Sequence, residues 1–416
     1  MKIIFLLTLL LALTACTSRS SSVIMPYMPN LVDSRPAIIF LHGFYGSALR
    51  RKNLGKRLFL TGSELLFGND ALSLYQAELG TPPGPETEIE GLLATVPVIP
   101  GLYERDIYST FVHRLREANA KSQILPLVYD WREDLSLAVN RLDELVKLLR
   151  ERGSPQITLV AHSMGGQVAV YYLGYGNQPP DTAKLNWEGA KNIQKAIFFG
   201  TPFAGSMIAF RSFEKGSGIP RSAKMLNADT MSSFPSLYQL LPTLASVRDK
   251  TGATSTIPLF EPDTWKMYGF GLLRKKDGAA NVLAARQKFT EENVLRAKRW
   301  SHMVQLGRTA AWPAPPTLKV LNVVSSAHQT LDFAYFQADT GTLLFDPDEV
   351  KSAALKMEPL YSAGDGTVSR SSADVPAALE AVTRVVTTSY SHDTLFLDPA
   401  VESEYKDFLQ PPAKGE

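Results

Sequence analysis

The sequence predicts an α/β protein whose mostly parallel central sheet is flanked by helices. Three observations carry that expectation. Short apolar runs of strand length alternate with helical stretches from Ala37 to Phe199. Ala37–Leu41 and, but for one threonine, Ile157–Val160 are continuously apolar rather than alternating, as expected when both faces of a sheet are covered. Three of the strand-length runs end in small-residue turns, "HGFYGS", "AHSMGG" and "GTPFAGS". With 45% hydrophobic and 20% charged residues, the composition is that of a folded chain, not a disordered one.

The N-terminus reads as a targeting segment. Lys2 is followed by an apolar run, Ile3 to Leu13, that is too short to span a bilayer and suits the core of an export signal. Leu13-Thr14-Ala15-Cys16 then resembles the lipobox of bacterial lipoproteins, which implies lipidation at Cys16. Cys16 is the only cysteine, so no intrachain disulfide can form. We expect residues 1–15 to be a signal peptide and 16–35 a tether, with a catalytic domain over 36–411 and a tail over 412–416. The protein would then be held at the bacterial cell envelope by its lipid anchor. A net charge of +2 argues against nucleic acid as a partner.

The first strand is Ala37–Leu41. From about 48 to 108 the pattern is irregular and includes the turn-rich "GTPPGPETEIEG", so an excursion rather than sheet is expected there. Gln123–Tyr129 reads as a strand. Asp134–Arg150 carries one apolar stripe (Leu135, Val139, Leu142, Leu145, Val146, Leu149), which predicts a helix ended by Gly153-Ser154-Pro155. Ile157–Val160 is a strand, Met164 to about Leu173 a helix, and Asn192–Phe199 another strand. From about 206 to 316 the alternation stops, with a helical patch at Glu291–Leu306. Leu318–Ser326 and Ala381–Thr388 complete the strands, and Pro399–Leu409 is a closing helix. The two excursions, about 48–108 and 206–316, are expected to serve as a lid and a cap.

Ser163 lies between an apolar strand and a glycine-rich helix start, the setting of a nucleophile elbow. The G-x-S-x-G pattern appears as Ala161-His162-Ser163-Met164-Gly165, one methyl away at its first position. A serine here also suits a plain helix N-cap. To act as a nucleophile, Ser163 needs a base and the base needs an orienting group. The order for this elbow is serine, acid, histidine. His392 follows the last strand, where the base belongs, with His328 in reserve. Acids between the last two strands are Asp332, Asp339, Asp346, Asp348, Glu349, Glu358, Asp365 and Asp374. Asp365, flanked by glycines in "SAGDGTV", is favoured. The oxyanion would be held by backbone N–H groups of Met164, after the nucleophile, and Phe44, in the glycine turn after the first strand. No H-E-x-x-H or phosphate-loop motif is present, so neither metal nor cofactor is expected.

These pieces together resemble the lecithin:cholesterol acyltransferase family, within the α/β-hydrolase fold. The similarity lies in "IIFLHGFYGSALR", "LVYDWR", "LVAHSMGG", "FFGTPFAGS", "FPSLYQLLP" and "GDGTV", in that order. The family more often has proline-glycine where this chain has His42-Gly43, and the lid cysteines of the animal enzymes are missing. The resemblance implies Ser163, Asp365 and His392 as the triad, Phe44 and Met164 as oxyanion donors, a lipid ester as acyl donor, and insertions that act as membrane-binding region and lid. The expected activity is a serine acyl-ester hydrolase or O-acyltransferase working through an acyl-enzyme. A thioesterase or peptidase could use the same triad, and a non-catalytic envelope protein could use the same scaffold. Oligomeric state is not encoded in any of these motifs.

Overall fold

A computed structural model describes residues 22–52, 57–58, 72–75, 87–99, 103–218, 225–308, 312–337, 339–353 and 359–410. The expected signal segment, Cys16, about half of the early excursion and the tail from 411 lie outside them. At the centre is a six-stranded parallel sheet. Its order is β16 (Thr383–Thr388), β11 (Lys319–Ser325), β8 (Lys195–Phe199), β7 (Ile157–His162), β2 (Ala37–Leu41) and β6 (Gln123–Leu127). Every residue of β2 and β7 is buried, which accounts for the unbroken apolar run of β2 and the largely apolar β7. Pro126 lacks an N–H to donate and is tolerated because β6 is an edge strand.

Strand parity sorts the core into two layers. Ile39, Leu41, Leu159, Ala161, Ala196 and Phe198 face helices α2 (Leu135–Glu151) and α3 (Met164–Tyr175). Ile38, Phe40, Val160, Ile197, Phe199 and Val323 face α1 (Ser109–Ala118) and α11 (Pro399–Leu409). The stripe expected on α2 is the buried stripe, and Asp134 caps the helix by accepting the Ser136 N–H at 2.9 Å. All of α3 is buried; its sequence is apolar on every side because it lies between the sheet and the cap.

The segment after β8 covers that layer. It holds α4 (Met207–Lys215), α5 (Ala228–Ser232), α6 (Pro235–Gln239), α7 (Pro262–Tyr268) and α8 (Ala280–Val304). Helix α8 starts earlier than the expected patch at Glu291 and packs Trp300 flat on Tyr171 of α3, with centroids 4.8 Å apart. Trp300 also donates to Gln167 Oε1 at 2.8 Å, so α8 is bound to the elbow helix by a buried polar contact. Within the segment, β9 (Ala245–Arg248) and β10 (Thr254–Ile257) join β13 (Ala334–Gln337) and β14 (Thr342–Leu344) in a small sheet. Short helices α9 (Pro347–Ser352) and α10 (Ala377–Glu380) follow, and β12 (His328–Leu331) pairs with β15 (Tyr361–Gly364).

Two expectations are corrected. The early excursion is not free of sheet: β3 (Ser47–Arg51), β4 (Thr87–Ile99) and β5 (Tyr103–Asp106) form an antiparallel unit. The expected tether contributes a strand of its own, β1 (Ser22–Ile24), on the other edge of β4. Long-range pairing supplies β1, β3 and β4 with partners that no local window contains. No helix among the described residues is long and apolar enough to cross a membrane.

Candidate active site

The site forms at the carboxyl ends of the central strands, where open α/β sheets place their ligands. Strand β7 ends at His162, and Ser163 makes the turn into α3 with φ 54° and ψ −126°. A positive φ is unusual for a residue with a Cβ and marks a turn held under strain by its surroundings. The Ser163 N–H donates to Phe199 O at 2.9 Å, fixing the turn to the end of β8. Small neighbours are required: a Cβ on Gly165 would lie 2.6 Å from the Leu41 and His42 carbonyl oxygens. Ser163 occupies the N-cap position but its side chain makes no capping bond.

Its hydroxyl meets His392 instead. Ser163 Oγ lies 2.9 Å from His392 Nε2, and His392 Nδ1 lies 2.7 Å from Asp365 Oδ2. The structure therefore brings together the three residues expected as nucleophile, base and acid, from three separate segments. Asp365 follows β15, and its second oxygen, Oδ1, accepts the Thr367 and Val368 N–H groups at 2.9 and 2.7 Å. Gly366, at φ 94°, allows that tight turn. The His392 N–H donates to Asp365 O at 2.8 Å, so the base is bound to the acid by backbone as well as side chain.

All three residues are buried. Burial alone would push the Asp365 carboxyl up, but His392 beside it and the two turn N–H groups hold it below the usual carboxylate range. Burial would push His392 down; the Asp365 charge and hydrogen bond outweigh it and raise the imidazole above its ordinary 6.5. That pairing favours an anionic Asp365 facing a proton on His392 Nδ1, which leaves Nε2 to accept from Ser163.

Phe44 sits in the turn between β2 and β3. Gly43 lies against the serine, where a Cβ would come within 2.9 Å of Ser163 Cβ. Among the described residues, the backbone N–H groups of Phe44 and Met164 find no protein acceptor. The "YDWR" segment braces this turn. Tyr129 Oη donates to His42 O at 2.5 Å, and Trp131 Nε1 donates to Ser47 O at 3.1 Å. Trp131 also lies edge-on to Phe44, with centroids 5.0 Å apart. Arg132 is fully buried and paired with Asp130, and it donates to Leu72 O and Thr87 Oγ1 at 2.9 and 2.7 Å. The motif thus connects the Gly43–Gly46 turn to the early excursion.

The alternatives fall elsewhere. His328 is at the start of β12, and its Nε2 donates to Ser389 O at 2.9 Å. Glu349 and Asp374 pair with Lys215 and Arg370, and Asp346 caps α9. Glu358 lies outside the described residues. His42 is buried and stacked on Tyr129, and burial pushes it down to about 4. Sequence reasoning missed Tyr108, whose hydroxyl contacts both Gly43 and His162, and the task of Gly200 beside Asp365. Among the described residues no cluster of three histidine, cysteine or acidic side chains is arranged to hold a metal.

Comparison with known proteins gives a family and a fold. A family model described as lecithin:cholesterol acyltransferase matches residues 101–387. No curated protein sequence matches the chain. Among solved structures, the Tle4–Tli4 complex aligns at 12% identity and TM-score 0.52, covering 90% of this chain and 98% of that one. The mature Bacillus licheniformis lipase BlEst2 aligns at 14% identity and TM-score 0.36, covering 94% and 96%. The metagenomic carboxyl esterase MGS0156 aligns at 11% identity and TM-score 0.33, covering 94% and 80%. At these identities the first likeness bears on the fold alone.

Proposed function

Because the chain belongs to the lecithin:cholesterol acyltransferase family, and is therefore an enzyme of acyl-ester hydrolysis or transfer, we propose that Ser163, His392 and Asp365 carry the reaction. The observation behind this is the contact of Ser163 Oγ with His392 Nε2 at 2.9 Å, with Asp365 behind the ring. His392 takes the Ser163 proton as the oxygen attacks the ester carbonyl. The carbonyl oxygen, now negative, is received by the Phe44 and Met164 N–H groups, whose lack of protein acceptors supports that role. Asp365 keeps His392 in the accepting tautomer and stabilises it once charged. His392 then returns the proton to the departing alcohol, leaving an acyl group on Ser163. Water resolves the acyl-enzyme in a lipase or phospholipase; an alcohol resolves it in an acyltransferase.

The substrate we propose is a lipid ester, and the setting is the bacterial cell envelope with Cys16 acylated. Family membership supports the first, and the lipobox-like "LTAC" supports the second. The test is to incubate wild type and Ser163→Ala with phosphatidylcholine vesicles, with and without a long-chain alcohol. Free fatty acid or a new ester from wild type alone is the expected result. Neither product, from vesicles or from simple esters, would sink the proposal. Release of the protein from membranes in Cys16→Ser would support the anchor, and unchanged membrane retention would refute it.

A further inference from the structure

A buried side-chain relay connects the oxyanion turn, the elbow and the base. Gly43 N–H donates to Tyr108 Oη at 3.0 Å. Tyr108 Oη lies 2.8 Å from His162 Nδ1, and His162 Nε2 lies 3.0 Å from the His392 carbonyl oxygen. Both ends of the relay have fixed polarity. A backbone N–H can only donate, so Tyr108 accepts there and spends its own proton on His162 Nδ1. A carbonyl can only accept, so His162 Nε2 must carry the proton. One neutral tautomer satisfies every group.

The surroundings hold the relay in place. Tyr108 stands edge-on to Phe40, with centroids 5.1 Å apart, and His162 stands edge-on to Phe396 at 5.3 Å. Burial first, then the charge of His392, push the His162 imidazole down to about 3. The acidic groups acting on it are Asp393 and Asp365. Each segment touched is one that the proposed chemistry must align. Gly43 precedes Phe44, His162 precedes Ser163, and the His392 carbonyl belongs to the base itself. Through its N–H on Asp365 O and its carbonyl on His162, the backbone of His392 is gripped on both sides.

From this geometry we infer that Tyr108 and His162 are positioning residues for the reaction, aligning the Phe44 N–H and the His392 ring on Ser163 without touching substrate. The inference rests on the triad reading above. It is tested with wild type, Ser163→Ala, Tyr108→Phe, His162→Asn and His162→Gln on a soluble p-nitrophenyl ester. Asparagine can still accept from Tyr108 but cannot reach the His392 carbonyl; glutamine can supply a donor there.

Tyr108→Phe and His162→Asn are expected to lower kcat about tenfold or more with KM within about twofold, and His162→Gln to recover part of the loss. A histidine 15N spectrum of the wild type is expected to show His162 protonated on Nε2 alone. Unchanged kcat in folded Tyr108→Phe and His162→Asn, or a proton on His162 Nδ1, overturns the inference and leaves the triad standing. If the variants do not fold, the wild-type spectrum decides. A wild type without turnover overturns the triad reading and the inference together.

Discussion

Gly200 stands where no side chain fits beside Asp365: a Cβ built on it would lie 2.8 Å from Asp365 Oδ2. The same Cβ would lie 3.1 Å from His392 Nδ1 and 2.7 Å from Leu395 Cδ1, and the backbone there has φ +55°. Gly200→Ala should therefore push the acid and base apart and strain the turn. We expect a loss of about 1–3 kcal/mol in stability and about a hundredfold in kcat, since a displacement near 1 Å costs that much. Urea unfolding and steady-state kinetics check the two effects separately.

The raised His392 value sets the pH dependence. A general base works when neutral, so kcat/KM should rise as pH passes upward through a midpoint above 6.5. Asp365→Asn removes the cause of the upward shift, and the midpoint should move down. The plateau rate should fall by about 10³- to 10⁴-fold, because an amide favours the wrong tautomer. The stability linkage has the opposite sense. The ion pair stabilises the fold most below the unfolded histidine value of about 6.5, and that contribution is lost as pH rises through the raised folded value. An acid limb centred below 6.5 in wild type would contradict the assignment.

Arg132 is the buried cation of the "YDWR" segment, and the Asp130 side chain is only 7% exposed. Arg132→Leu leaves that carboxylate without its partner and frees the Leu72 carbonyl and Thr87 hydroxyl. A loss of about 3–5 kcal/mol is expected, and the double change Arg132→Leu/Asp130→Leu should recover part of it. Denaturant titration of the three proteins reads this directly.

The proposed chemistry needs only side chains and backbone. Dialysis against EDTA should leave the rate within about 10% of the untreated enzyme, since acyl transfer through a serine triad requires no Lewis acid. Abolished activity that returns with a divalent ion would refute the mechanism.

The centre of the sheet was legible because strands such as β2 and β7 are buried on both faces and are largely apolar. Ala37–Leu41 has the limits its sequence suggests, and α2 shows its stripe plainly. Ser163, Asp365 and His392 were legible because the fold imposes an order along the chain. The antiparallel unit was not. Thr87–Ile99 contains Gly91, Pro97 and two glutamates, and its stability comes from pairing with the distant β1 and β3 as well as with the neighbouring β5. Tyr108 gave no local signal, since its role exists only where the fold brings it to His162. The helix that follows it, Ser109–Ala118, was also unforeseen.

Strand β1 has a practical consequence for anyone trimming this protein. The parallel sheet begins at Ala37, which makes Pro36 a tempting first residue. Yet Ser22–Ile24 pairs with β4 over Leu92–Thr95, and β4 donates from Leu93 N to Gly46 O at 2.9 Å, two residues past Phe44. A shortened protein starting at Pro36 would bare that edge to pairing with other chains. It would also slacken the turn proposed to receive the oxyanion. Solubility and turnover should fall together, and retaining the chain from Ser22 should preserve both.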